Sequence, residues 1–333
     1  MQPPLHQSGT SPQRNVVALD IGGTKINAAL VRISGGDAEI ITSATTPTVA
    51  EDGSDGILAA AVRVAKDVLS AHPAVQLDAV GMSAGGVIDS SRGVVTHATD
   101  TIPGWRGADL SAPFTAEFSV PFRALNDAHA HGLGEALFGA GRDHRSMMMV
   151  AVGTGIGGSI VTNGNLLQGS HGAAGHLGHI GVSEAEGMKC TCGRSGHIEA
   201  LASGPGILRV AKKMNAGDDV TKDGRSLARA AEEGNTAAQE AYRIAGFATG
   251  RVIGSLLNTL DVDLVTLAGG VTEAYSGWLD AVKQGVAHDA MDVVANTPIT
   301  TAATRGSQAA LLGAAAFSLN FPTYDIPTEG TEA

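Results

Sequence analysis

Four residues between positions 179 and 197 have the chemistry of metal ligands. The segment 175–199 reads GHLGHIGVSEAEGMKCTCGRSGHIE and holds both cysteines of the chain, Cys190 and Cys192, with His179 upstream and His197 downstream. A tetrahedral zinc takes four nitrogen or sulfur ligands, so His179, Cys190, Cys192 and His197 would close a structural site. The competing reading is two small buried side chains, since a C-x-C pair is tighter than the usual knuckle.

Two glycine-rich stretches could hold phosphate. The first is Asp20-Ile21-Gly22-Gly23-Thr24-Lys25. Its glycines let backbone N–H groups approach phosphate oxygens, Thr24 adds a hydroxyl, and Asp20 could place a Mg²⁺ through water. A tight hairpin is the alternative. No helix follows the glycines, so the pattern is neither a Walker A loop nor a Rossmann fingerprint. The second is Gly153-Thr154-Gly155-Ile156-Gly157-Gly158, with four glycines in six positions. Gly269 and Gly270 end a further apolar run, where the backbone could approach an adenosine. Asn126-Asp127 offers a carboxylate for general-base work, or a helix cap.

These segments resemble the ROK family (repressors, open reading frames and sugar kinases) from about Val16 to Leu319. CTCGRSGHIE is similar to its C-x-C-G-x-x-G-C-x-E signature, GHLGH to its G-E-x-G-H segment, DIGGTK to its first phosphate motif, and NDAH to its N-D-A-N motif. The resemblance implies a structural zinc on His179, Cys190, Cys192 and His197, where His197 replaces a family cysteine. It implies Asp127 as catalytic base and sugar contacts from Gly85, Asn126, Asp127, His176 and Glu199. Ser83–Gly86 and Pro103–Trp105 match segments flanking the sugar, although core packing is the commoner fate of a Trp. ATP and Mg²⁺ are the implied cofactors, with Asp20, Gly22, Gly23, Thr24, Lys25, Gly153, Thr154, Gly155, Gly269 and Gly270 on the nucleotide. A homodimer follows from family habit. Two positions depart from the pattern: His176 stands for a Glu and His129 for the second Asn.

The elements that must carry these residues alternate between strand and helix. VVALD (16–20), INAALVRI (26–33) and AEIITSATT (38–46) read as a β-meander with a glycine-rich first turn. Apolar residues at helical spacing predict a helix over 57–71, before a strand at 78–84 and another at GVVTHA (93–98). A helix is expected over 127–141. MMMVAV (147–152), GTGIGG and SIVTNGNLL (159–167) repeat strand, glycine turn, strand at about 130 residues' distance, which suggests a duplicated domain with a cleft between the halves. Helices are expected over 200–214, 226–260 with a break near Gly234-Asn235, 278–291 and 307–320, and a buried strand over 263–271.

This pattern is α/β. The resemblance makes it an actin-like ATPase (ribonuclease-H-like) fold of two lobes around a cleft. The expected division is a disordered extension (1–14), an N-terminal lobe (15–126 plus 307–320), a C-terminal lobe with the zinc segment (127–306), and a tail (321–333).

The chain has 333 residues and a net charge of −11. That acidity argues against sequence-independent nucleic-acid binding, which needs a basic surface. No run reaches the roughly 18 apolar residues of a membrane span. The N-terminus lacks the apolar core of a signal peptide, and two neighbouring cysteines build no disulfide framework, so the cytoplasm is expected.

The expected function is ATP-dependent phosphorylation of the 6-hydroxyl of a hexose or N-acetylhexosamine. G-H-x-G-H is similar to the pattern of N-acetylmannosamine kinases, which makes N-acetyl-D-mannosamine the expected sugar. A glucokinase, with ATP or polyphosphate as donor, is the alternative. A ROK-type repressor would need a helix-turn-helix, and only about 14 polar residues precede Val16. A non-catalytic sugar-binding module would not need two phosphate turns plus Asp127.

Overall fold

The computed structural model describes residues 12–99, 102–304 and 307–320. In chain order the elements are β1 (Arg14–Ile21), β2 (Lys25–Ser34), β3 (Asp37–Pro47), α1 (Gly53–Ser70), β4 (Ala79–Ala84), β5 (Val87–Asp89), β6 (Val94–His97), α2 (Ala112–Phe118), β7 (Phe122–Asn126) and α3 (Asp127–Phe138). Then come β8 (Ser146–Val152), β9 (Ile156–Thr162), β10 (Asn165–Leu166), α4 (Ile198–Ala202), α5 (Gly204–Lys213), α6 (Gly224–Glu232), α7 (Thr236–Leu260), β11 (Leu264–Ala268), α8 (Ser276–Asp289), β12 (Ile299–Thr301) and α9 (Gln308–Ser318). The tail expected at 321–333 and most of the expected N-terminal extension lie outside the described residues.

Two five-stranded sheets share one topology. The first runs β3-β2-β1-β4-β7 and the second β10-β9-β8-β11-β12. In the first, β1 pairs antiparallel with β2 and parallel with β4, and β4 pairs parallel with β7. In the second, β11 pairs parallel with β8 and with β12, and β10 pairs antiparallel with β9. The repeat of strand, glycine turn and strand in the sequence is therefore the opening of two equivalent α/β sheets.

Period-two alternation explains how β1 is buried on both faces. Val17 and Leu19 pack with Ile57, Leu58 and Ala61 of α1. Val16 and Ala18 pack with Leu311, Leu312 and Ala315 of α9 on the other face. Each Val, Leu or Ile fully buried in this way contributes about 1.5–3 kcal/mol.

The chain forms two compact units. Among the described residues, one holds 12–146, Ile160–Ala174 and those from Ala303 to 320; the other holds Met147–Ser159 and Gly175–Ala302. Helix α3, expected to open the second lobe, packs instead against α9 in the first unit. Glycines permit that close approach: a Cβ on Gly134 would stand 1.9 Å from the Ala309 carbonyl oxygen, and one on Gly313 1.9 Å from that of Ala130.

Local departures have local causes. Strand β1 begins at Arg14, inside the expected extension, because Arg14 Nε pairs with Asp78 Oδ1 at 2.9 Å. Helix α1 starts at Gly53 rather than 57, since its polar first turn shows no apolar periodicity and is marked only by Asp55. Helix α3 stops at Phe138, where Gly139 leaves helical geometry with its N–H still on the Glu135 carbonyl. The strands β5 and β12 have three residues each, too short for a periodic signal. Among the described residues, no helix is long and apolar enough to cross a membrane.

Candidate active site

In the first unit the polar residues gather at the ends of β1, β4 and β7. Asp20 accepts the Ser83 hydroxyl on Oδ1 at 2.8 Å and the Asn27 amide on Oδ2 at 3.4 Å. Burial pushes its carboxyl above the ordinary range; Ser83 and Asn27 oppose this, and the Asp127 charge adds to it. The glycine turn after it is tight, with the Gly22 N–H on the Lys25 carbonyl at 3.0 Å and the Thr48 hydroxyl on the Gly22 carbonyl at 2.8 Å. Gly23, Thr24 and Lys25 are exposed.

At the β7–α3 junction the capping question resolves in favour of Asn126. Its Oδ1 accepts the N–H groups of Ala128 and His129 at 3.0 and 3.3 Å, and its Nδ2 donates to the Gly86 carbonyl at 2.9 Å. The sugar contact expected of Asn126 therefore competes with bonds at both ends of its side chain. Asp127 is the first residue of α3 and is exposed, with Oδ1 2.8 Å from its neighbour's amide at Ala128. The Trp105 indole, buried to 3 % exposure, is more than core: its Nε1–H donates to the Gly85 carbonyl at 2.9 Å and fixes that turn. His129 is buried and donates from Nε2 to the Ala174 carbonyl at 2.6 Å, so it restrains the residues leading into Gly175–His179.

In the second unit the metal-ligand quartet converges. One ligand atom from each of His179, Cys190, Cys192 and His197 lies within 4.8 Å of the others. Cys190 Sγ is 3.6 Å from His179 Nδ1, and Cys192 Sγ is 3.3 Å from His197 Nδ1. Zinc bonds of 2.0–2.3 Å at tetrahedral angles put ligand atoms about 3.3–3.8 Å apart, so these residues fit zinc. The loop is framed by backbone bonds from Val182 to Gly196 (2.9 Å) and from Ile198 to Ile180 (2.9 Å). Within the loop, Glu184 pairs with Arg251 of α7 at 2.7 Å, and Arg251 also pairs with Asp289 of α8 at 3.0 Å. His176 stands at the entry of the short turn that carries His179, their rings 6.3 Å apart. Glu199 is in the first turn of α4, directly after His197 and Ile198.

The second glycine turn follows β8, and Gly269-Gly270 follows β11, its neighbour in the sheet. The Val271 N–H bonds the Val152 carbonyl at 3.1 Å, which brings the two turns together. Beside them opens a cavity of about 680 Å³ lined by Gly153, Thr154, Gly204, Pro205, Arg225, Tyr242, Gly270 and Val271, among others. This volume is in the range of small-molecule and cofactor sites. Sequence reading missed Pro205, Arg225 and Tyr242. Only the Ser203-Gly204-Pro205 helix start, with its cap on the Gly206 N–H, carried a signal, and that signal reads equally as plain capping. Burial pushes the Tyr242 phenol up to about 12, so it stays neutral.

Two α/β sheets of one topology, each opening on a strand, a glycine turn and a return strand, define an actin-like ATPase fold. The chain belongs to the ROK family, whose model matches residues 16–320. It is 33 % identical over 310 residues to a glucokinase of Halalkalibacterium halodurans, covering 89 % of this chain and 92 % of that one. It is 32 % identical over 275 residues to an N-acetylmannosamine kinase of Escherichia coli, covering 82 % and 88 %. The crystal structure of a ROK family glucokinase from Streptomyces griseus in complex with glucose and AMPPNP superposes with a TM-score of 0.74 at 27 % identity, covering 92 % of this chain and 99 % of that one.

Proposed function

We propose that this ROK-family sugar kinase transfers the γ-phosphoryl group of ATP to the 6-hydroxyl of N-acetyl-D-mannosamine. The observation that carries the reading is the division of roles at the β7–α3 junction. Asn126 caps the helix, which leaves the exposed carboxylate of Asp127 at its N-terminus for the proton of an attacking hydroxyl. The N–H groups of Gly23 and Thr24 in the first turn, and of Thr154 and Gly155 in the second, would offer donors to phosphate, those of Gly22 and Gly153 being bonded inside their own turns. The cavity beside Tyr242 takes the nucleoside, which favours ATP over polyphosphate. Mg²⁺ bound through water near Asp20 would neutralise phosphate charge. Zinc on His179, Cys190, Cys192 and His197 would be structural, fixing the loop that carries His176 and Glu199.

The choice of sugar rests on His176. A neutral imidazole offers one donor and one acceptor where a Glu offers only acceptors, which suits a different substituent at the first sugar carbons. The identity to a glucokinase favours glucose as the second reading. ADP release measured with N-acetylmannosamine, glucose and other hexoses decides between them. A higher kcat/KM for glucose than for N-acetylmannosamine replaces the first reading by the second.

A further inference from the structure

Glu199 is a candidate sugar ligand, yet both of its carboxylate oxygens are engaged inside its own unit. Oε2 accepts the Ile156 N–H at 3.0 Å, and Oε1 accepts the Thr191 hydroxyl at 2.6 Å. Ile156 belongs to the Gly153–Gly158 turn, and Thr191 lies between Cys190 and Cys192. One carboxylate thus spans from the Cys/His loop to the second glycine turn. The seat is tight at Gly155: a Cβ there would stand 2.8 Å from Glu199 Oε2. The next helix fixes the start of the turn: the N–H of Gly204, the first residue of α5, donates to the Gly153 carbonyl at 2.8 Å. A run of glycines has more backbone freedom to lose than any other sequence, so a turn of this composition needs outside anchors to keep one shape. Ionised acceptors make the stronger backbone hydrogen bonds.

We propose that Glu199 is a positioning residue for the donor nucleotide. By holding the Ile156 N–H it keeps the amides of Thr154 and Gly155 in a phosphate-binding arrangement, and the Thr191 hydroxyl holds Glu199 in place. The role is separate from any sugar contact. It rests on the kinase reading only in taking this turn as the donor-phosphate site. It also makes the Cys/His loop and the turn one mechanical element, so disturbing the loop at Thr191 reaches the nucleotide.

The test is calorimetric titration of Mg·AMP-PNP into the metal-replete protein without sugar. Glu199→Gln keeps an acceptor for the Ile156 N–H and an amide for the Thr191 oxygen but loses the charge, so its Kd should fall between those of wild type and Glu199→Ala. Glu199→Ala removes a charge-assisted bond and should raise the Kd about tenfold. Thr191→Val loses the shorter of the two contacts on Oε1, the other being Cys190 Sγ at 3.6 Å, and should raise it about threefold. Gly155→Ala crowds the carboxylate and should act in the same direction. If Glu199→Ala and Thr191→Val bind nucleotide as wild type does and only the sugar KM rises, the positioning role is wrong. Should Glu199→Ala not fold, an unchanged Kd in Thr191→Val alone overturns it. Wild-type protein that binds no nucleotide refutes the kinase reading and this role with it. Preference for glucose over N-acetylmannosamine touches neither.

Discussion

The Ser83 hydroxyl donates to Asp20 Oδ1 at 2.8 Å, in a place where Ser83 itself is fully buried. Burial raises the Asp20 carboxyl, and this bond is the first of the contacts that pull it back down. In the proposed mechanism Asp20 attracts a hydrated Mg²⁺ only when ionised. Ser83→Ala removes the opposing bond, so the carboxyl should titrate higher and the acid limb of kcat/KM should move to higher pH. A pH profile at saturating Mg²⁺ measures this. An acid limb that stays in place assigns it to another group.

Asp127→Asn should leave the fold intact, because Asn126 supplies the cap. Turnover should fall by about 10²–10⁴-fold, the size of a general-base contribution. The loss should fall on kcat, with the sugar KM little changed, since the proton moves only in the transition state. Near-normal turnover would remove Asp127 from the chemistry.

These two residues also show what the sequence makes legible. The glycine turns, the Asn-Asp pair and the Cys/His quartet each lie within one short segment, so residue type and spacing carry them. Which of Asn126 and Asp127 caps α3 is decided by the Gly86 carbonyl, forty residues away, and no local pattern encodes that bond. Tyr242 and Arg225 reach their cavity through the packing of α6 and α7, and in sequence they look like ordinary helix residues. The placement of α3 follows from its glycine contacts with α9, at the far end of the chain. Long-range packing is the part that spacing does not show.

Glu135 is fully buried in α3, and its carboxylate accepts three backbone N–H groups: Ala140 at 2.9 Å, Ala303 at 3.0 Å and Thr304 at 2.7 Å. Glu135→Ala would leave all three without this acceptor. A buried orphan costs about 1–3 kcal/mol, but Ala303 is exposed and Ala140 and Thr304 are half-buried, so water recovers part of this and the loss should be about 2–4 kcal/mol in urea unfolding. Glu135→Gln keeps one good acceptor and should cost less. A loss below about 1 kcal/mol for the alanine variant would mean that water replaces the carboxylate there.

Protein purified without added metal should contain close to one zinc per chain. Cys192→Ser replaces a thiolate by a poor ligand in a quartet whose ligand atoms lie within 4.8 Å of one another. Zinc content and Tm should fall together, read by elemental analysis and thermal unfolding. A chain that is zinc-free, fully stable and fully active as isolated would return Cys190 and Cys192 to plain packing.

The sugar preference is most directly tested at His176. This residue opens the turn leading to His179, and the chain just before it is held by the bond from His129 to the Ala174 carbonyl. The backbone there is therefore set by neighbours, and exchanging the side chain should change chemistry more than placement. His176→Glu restores an anionic acceptor that bonds sugar hydroxyls well and offers an N-acetyl carbonyl nothing to accept from. The ratio of kcat/KM for glucose to that for N-acetylmannosamine should rise by about 10–100-fold, the scale of one or two hydrogen bonds gained or lost. The metal quartet is untouched by the exchange, so zinc content and Tm should stay at wild-type values. A ratio that does not move, with the fold and zinc intact, would mean that His176 makes only a local structural bond and that the sugar is chosen elsewhere.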